Sequence, residues 1–276
     1  MNTLTIALLQ LPNSTNIEHN TARALQALVM CEREGANLIV FPECFLTGFT
    51  AKLDPCTPED LEPSLEAIEL AAAGLGVCVL LPSARMSAEG RVENMGWWLG
   101  GLARHAFYKA GLTDSELRFF AKPEHPGARI FEVCGHRVGL ILCREVADPI
   151  EDYIEAPEQL DCLVWPAYFK WDEAFVWSGD EGDGLMAGAH ALVERLGIPL
   201  LQANYSGNDE TTIRATGPDG RSVVIARDNT LALLGAASTP SAILVEVSRE
   251  GCNDLVRCEE IVWRDGGPRP SGAEMF

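Results

Sequence analysis

Lysine is scarce in this chain: only Lys52, Lys109, Lys122 and Lys170 accompany seventeen arginines, and Asp plus Glu outnumber Lys plus Arg 40 to 21. The resulting formal net charge of -19 argues against nucleic acid or an anionic membrane as a partner, and reads as a solvated acidic surface. Long apolar runs are missing as well. No stretch approaches the roughly 18 uninterrupted apolar residues of a spanning helix. The opening MNTLTIALLQLP has neither a basic region nor a cleavage site, so it reads as a first strand and not a secretory leader. Close cysteine spacing is absent too. The cysteines number nine, and Cys31, Cys44, Cys78, Cys134, Cys143 and Cys162 sit in or beside apolar segments, which suits free thiols in a reducing, cytoplasmic setting. Without HExxH or CxxC, and with His19, His105, His125, His136 and His190 isolated in sequence, a metal hydrolase is not expected. Nor is there a GxSxG elbow for a serine nucleophile.

What the chain has is enough apolar material for a large core: 276 residues, 47% of them hydrophobic, with no internal repeat and no linker. One domain over 1–276 is expected, with a core at about 4–250 and a Gly- and Pro-rich tail over about 251–276. Strand and helix signals alternate from the start. Leu4 to Leu9 reads as a strand, and Asn16 to Glu34 as a helix closed by Gly35. Leu38 to Phe41 is a strand, Pro58 to Ala73 a helix stopped by Gly74 and Gly76, and Val77 to Leu81 the next strand. Those glycines precede a strand, which excludes a phosphate loop. Val92 to Tyr108 suggests an antiparallel pair, and Ile130 to Leu142 a hairpin turning at Gly135-His136. A helix near Pro149 to Ala156, strands at Cys162 to Trp165 and Leu200 to Ala203, and a helix over Leu185 to Leu196 follow. Thr212 to Ile225 reads as a hairpin, and Ala242 to Val247 as the last strand. The order predicts an α/β fold with mixed sheets.

Three residues invite chemistry. Cys143 ends the apolar run Val138 to Leu142, and reactive groups collect outside the carboxyl ends of strands in open α/β sheets. A buried core thiol is the alternative. Glu43 follows Leu38 to Pro42 in the same way, where apolar walls raise a carboxyl toward a useful base; a helix cap or surface acid is its alternative. Lys109 lies in the apolar-aromatic stretch Ala106 to Leu112, a compact ammonium whose pKa moves when buried, unless it merely snorkels. Together they suffice for acyl transfer, with Glu43 taking the thiol proton, Cys143 attacking and Lys109 holding the developing negative charge. A Cys–His pair using His136 or His190 is the competing arrangement.

The blocks Phe41-Pro42-Glu43 with Gly48-Phe49, Tyr108-Lys109 with Leu112 and Glu116, and Leu142-Cys143 resemble the three signature blocks of the nitrilase superfamily, the carbon–nitrogen hydrolases. Leu200 to Asn204 with Gly207, and the turn Gly217 to Gly220, fit the same pattern, so the resemblance spans about Thr5 to Val247. It implies a four-layer αββα sandwich with mixed β-sheets, assembled as a homodimer or higher homo-oligomer. It implies Glu43 as general base, Lys109 on the oxyanion side, Cys143 as nucleophile and Glu116 as a second glutamate orienting substrate and lysine. The expected activity is hydrolysis of a small-molecule amide or carbamoyl group in preference to a nitrile, with no metal and no organic cofactor. A catalytically silent relative that binds a metabolite or partner is the alternative. The chain departs from the pattern at Gly111, where members often have His, and at Arg144-Glu145, where an aromatic and an acid are common. Arg144, Tyr168 and Phe169 are the substrate-binding candidates, with pairing of Arg144 to Glu145 the preferred reading of that arginine.

Overall fold

A computed structural model of the chain describes residues 3–49, 56–101, 104–168, 184–208, 221–236, 239–249, 254–264 and 267–270. The first half runs β1 (Thr3–Gln10), β2 (Pro12–Asn13), α1 (Ile17–Arg33), β3 (Leu38–Val40), α2 (Pro58–Leu75), β4 (Cys78–Met86), β5 (Val92–Leu99) and β6 (His105–Tyr108). The second half begins β7 (Ile130–Val133), β8 (His136–Leu140), β9 (Cys162–Pro166), α3 (Gly184–Leu196) and β10 (Leu200–Ala203). It ends β11 (Gly207–Asn208), β12 (Val223–Ile225), β13 (Leu231–Leu234), β14 (Ser241–Ser248), β15 (Asp254–Arg264) and β16 (Gly267–Pro270).

The helices start and stop where local chemistry directs. Asn16 caps α1 by accepting the His19 N–H at 3.0 Å. Thr57 and Asp60 form a capping box at α2, and Gly76, at φ 70°, closes it. Leu61, Leu65, Ile68 and Ala72 recur at helical spacing and form its buried face.

One sheet has eight strands in the order β16-β15-β14-β1-β3-β4-β5-β6, and a second has six in the order β13-β12-β10-β9-β8-β7. Both are mixed. β1, β3 and β4 are parallel in the first sheet, and β8, β9 and β10 in the second. Alternation along β1 explains the layering. Ala7 and Leu9 face the helices, packing with Ala24 and Leu28 of α1 and Leu61 and Leu65 of α2. Leu4, Ile6 and Leu8 face the other way and meet Val138, Leu140, Val164 and Leu201 of the second sheet. The far face of that sheet (Leu163, Trp165, Leu200) packs on Met186, Ala189 and Val193 of α3. The result is the four-layer αββα sandwich, and the middle strands read as unbroken apolar runs because both of their faces are buried. Among the described residues no helix is long and apolar enough to cross a membrane.

Several elements differ from the sequence expectation. The hairpin joining β7 and β8 turns on Cys134 (φ 50°) and Gly135 (φ 76°), so His136 already lies in the strand, opposite Val133. The helix expected near Pro149 to Ala156 is a short 3-10 turn at Ile150–Asp152, with a second at Pro157–Gln159. Pro149 suits the start of a turn, but Tyr153 already leaves the helical path (φ -122°), and Ala156, left-handed at φ 52°, with Pro157 after it, bars any continuation. β14 is not the last strand: β15, eleven residues long, pairs along its whole length, and β16 pairs with β15. Gly267, Pro268 and Pro270 hide β16, while in β15 the charged Arg257, Glu259 and Glu260 interrupt the apolar residues. Residues 212–220, most of the expected hairpin, lie outside the described residues. The hairpin seen there joins β12 to β13 through Asn229, at φ 69°.

Candidate functional site

Four strand ends build the site. Glu43 lies just beyond β3 and Lys109 beyond β6, which runs in the same direction through two antiparallel steps. From the other sheet, Cys143 follows β8 and Tyr168 follows β9, two parallel neighbours. Carboxyl ends of co-directional strands thus meet at one edge of the sandwich.

The carboxylate and the ammonium are fully buried and bonded. Lys109 Nζ donates to Glu43 Oε1 at 2.7 Å and to Glu116 Oε1 at 2.5 Å. An ammonium has three donors; among the described residues, the third N–H of Lys109 has no acceptor. Glu116 is held in turn by the Thr113 N–H (2.9 Å) and hydroxyl (3.1 Å). Glu43 also accepts from Asn94 Nδ2 at 2.8 Å, and its backbone carbonyl accepts from the Tyr205 hydroxyl at 2.6 Å. Burial raises the Glu43 carboxyl above its ordinary range, with Lys109 pulling the other way. For Lys109, burial acts to release the proton, but the Cys143 sulfur in its ionised form and the carboxylates of Glu43 and Glu116 outweigh it and hold the ammonium well above its usual pKa.

Cys143 opens a 3-10 turn, Cys143–Ala147, in a left-handed conformation (φ 41°) that costs a non-glycine residue roughly 1–2 kcal/mol. Trp165 Nε1 secures it by donating to the Cys143 carbonyl at 2.7 Å. Cys44, next to Glu43, is also left-handed, at φ 54°. Such conformations persist where surrounding contacts impose them, and they gather at functional sites. The peptide unit of Tyr168 ties base to nucleophile: its N–H donates to Glu43 Oε2 at 3.1 Å, and its carbonyl accepts from the Cys143 thiol at 3.8 Å. Burial and then the Glu43 charge push the Cys143 thiol up, so it rests protonated. The sulfur opens onto a cavity of about 440 Å³, walled by Phe49, Thr113, Glu116, Phe119, Arg144 and Tyr168 among others. Phe49 and Tyr168 stack at 4.4 Å, forming one flat side.

The structure therefore brings together Glu43, Lys109, Glu116 and Cys143 as the sequence suggested. Phe169 lies outside the described residues. Among the described residues no bond joins either candidate histidine to the thiol: His136 Nδ1 sits by the Cys134 carbonyl and His190 Nδ1 by Asn229 Oδ1.

The expected pairing of Arg144 with Glu145 is not found. Arg144 bonds Asp148 Oδ1 at 2.5 Å, while Glu145 turns inward. There both of its oxygens are bonded by Arg129 at 2.9 Å, Oε1 also accepts from the N–H groups of Ala110 (2.8 Å) and Gly111 (3.2 Å), and Oε2 accepts from that of Leu142 (2.8 Å). Adjacent side chains on a turn point apart, and that separates them. Gly111 is explained by the same packing: a Cβ there would lie 2.5 Å from the Tyr153 hydroxyl and 2.7 Å from Glu145 Cγ. Sequence reasoning missed Asn94, Arg129 and Glu145 as supports of the site. A buried amide within the largely apolar strand β5 was the one available signal, for Asn94.

Comparison with known proteins matches residues 5–146 to the family model for carbon-nitrogen hydrolases. The glutamine-dependent NAD(+) synthetase of Thermotoga maritima is 28% identical over 166 residues, which make up 55% of this chain and 27% of that protein. The structure of glutamine-dependent NAD+ synthetase from Acinetobacter baumannii superposes with a TM-score of 0.72 at 19% identity, covering 92% of this chain and 48% of that one. This chain thus spans only part of either synthetase. An amidase from Nesterenkonia sp. superposes with a TM-score of 0.70 at 19% identity, over 88% of this chain and 90% of its own. At such identity the likeness is one of fold.

Proposed function

Because the chain belongs to the carbon-nitrogen hydrolase family, we propose that it hydrolyses a non-peptide carbon–nitrogen bond through a thioester on Cys143. An amide or carbamoyl group is a better fit than a nitrile, in keeping with the relatives named as an amidase and as glutamine-dependent synthetases. The observation that carries the reading is the buried Lys109 ammonium, bonded to two carboxylates with one N–H to spare, at the strand ends where Cys143 also lies.

The chemistry follows from those positions. Sulfur attacks the carbonyl carbon while the thiol proton passes to Glu43, and the carbonyl π electrons move to oxygen. Lys109 and the Arg144 N–H, at the open start of the turn, stabilise that oxyanion. Collapse breaks the C–N bond, Glu43 returns the proton to nitrogen, and ammonia leaves. Water then gives a proton to Glu43 as its oxygen attacks the thioester; the acid departs and sulfur recovers the proton. A carboxyl raised by burial suits both proton transfers. Cys31, Cys44, Cys143 and Cys162 as buried free thiols support the cytoplasm as the proposed location.

Ammonia release screened across amides, ureido acids and nitriles is the test. Cys143→Ala should abolish it, and Glu43→Gln should lower kcat by about 10²–10⁴-fold while allowing a trapped acyl mass on Cys143. Ammonia release that survives Cys143→Ala overturns the mechanism. A Cys143 alkylated by iodoacetamide no faster than an ordinary exposed thiol, with no turnover, would favour a silent binder.

A further inference from the structure

Arg144 is the one cationic side chain among the described residues that wall the cavity. The one acid there, Glu116, is committed to Lys109 and Thr113. Two facts separate Arg144 from a surface arginine that happens to lie at a rim. Its neighbour Glu145, the obvious neutralising partner, is consumed by Arg129 and three backbone N–H groups. Its actual partner, Asp148, engages a single nitrogen, Nη1, at 2.5 Å, and the other Asp148 oxygen accepts from the Tyr153 hydroxyl at 2.6 Å. Asp148 is thus braced from behind and acts as a strut for the guanidinium. Among the described residues Nη2 and Nε of Arg144 have no acceptor, and the side chain remains 39% exposed. A planar fork held on one nitrogen with its remaining donors open matches a carboxylate.

Resting on the reading of Cys143 as the nucleophile, we propose that Arg144 selects the substrate: a short amide carrying a carboxylate at the end remote from the scissile bond, such as the monoamide of a small dicarboxylic acid. Adjacent positions on the same turn and a shared cavity of about 440 Å³ set the scale of the chain between amide and carboxylate to a few carbons. The neutral hydroxyls of Thr113 and Ser115 line the same wall and add no competing charge.

The experiment pairs glutaramate with pentanamide, of equal length with and without the terminal carboxylate. The wild-type chain should favour glutaramate at least about tenfold in kcat/KM, and Arg144→Met should erase that ratio by about 10- to 100-fold, chiefly through KM. Arg144→Lys should restore part of it. Calorimetry on Cys143→Ala, with and without Arg144→Met, reads the same preference as binding, free of turnover. Equal handling of the two amides by the wild type, or a preference that survives Arg144→Met, overturns the assignment. Glutaramate binding that depends on Arg144 without any turnover would instead retain the carboxylate site and remove the hydrolase mechanism.

Discussion

The Glu145 carboxylate is the joint on which the site's geometry depends, and Glu145→Gln tests it. In the native chain one buried group receives two bonds from Arg129 and three from backbone N–H groups. A glutamine must turn its NH2 toward one set of these donors. Facing Leu142 N and Arg129 Nη1 is the cheaper choice, since Oε1 carries three donors and Oε2 two. Two buried donors then lose their acceptor, and the Arg129 guanidinium, whose side chain is 2% exposed, is left without a countercharge. Breaking a buried pair in this way costs about 3–5 kcal/mol. In a chain of this size, at ~2 °C per kcal/mol, that is a fall of roughly 6–10 °C in Tm. Activity should fall further than stability, because the same carboxylate holds the backbone after Lys109 against the backbone before Cys143. Loosening by about 1 Å costs on the order of 10² in rate. Urea midpoints at constant m, with kcat measured well below the transition, provide the assay. The double variant Arg129→Met/Glu145→Gln should be more stable than the sum of the singles by about 1–3 kcal/mol, since the orphaned charge is gone. A loss under about 1 kcal/mol with unchanged kcat, or strict additivity in the double variant, refutes the reasoning.

Two further outcomes follow from the packing. The acid limb of kcat/KM should lie above the ordinary carboxylate range: burial raises Glu43, the base must be ionised to take the thiol proton, and activity is therefore lost as pH falls through that raised value. A pH–rate profile with its acid limb at or below 4.5, the ordinary value for Glu, would contradict this. Gly111→Ala should destabilise by about 1–3 kcal/mol, because the new methyl lies under 3.0 Å from the Tyr153 hydroxyl, Glu145 and Asp148. Adding Tyr153→Phe should recover part of that in thermal melts, and no recovery would place the clash on Glu145 and Asp148.

Local patterns carried much of this into the sequence. A strand buried on both faces must be an apolar run, so a thiol or carboxylate at its end stands out, as Cys143 and Glu43 do. Helix α2 announces itself through Thr57, Pro58 and Asp60 at its start and Gly76 at its stop. Partnerships across long separations were not legible. Arg129 meets Glu145 from sixteen residues away, and the nearer Arg144 was the natural suspect. Tyr168 was legible as an aromatic lining residue, which it is, but its link to Glu43 and Cys143 runs through main-chain atoms that no side-chain pattern reports. β16 was obscured because Gly and Pro usually signal turns, whereas at a sheet edge they are tolerated, and β15 because Arg257, Glu259 and Glu260 break up its apolar residues.

Glu43 and Lys109 hang from one sheet, Cys143 and Tyr168 from the other, and the apolar seam between the sheets sets their spacing. Neither sheet by itself could carry the chemistry. Slippage of the two sheets by a single pleat would part the sulfur from its base with every strand still intact, so the interleaved side chains of Ile6, Leu8, Leu140 and Val164 act as a ruler for a reaction they never touch.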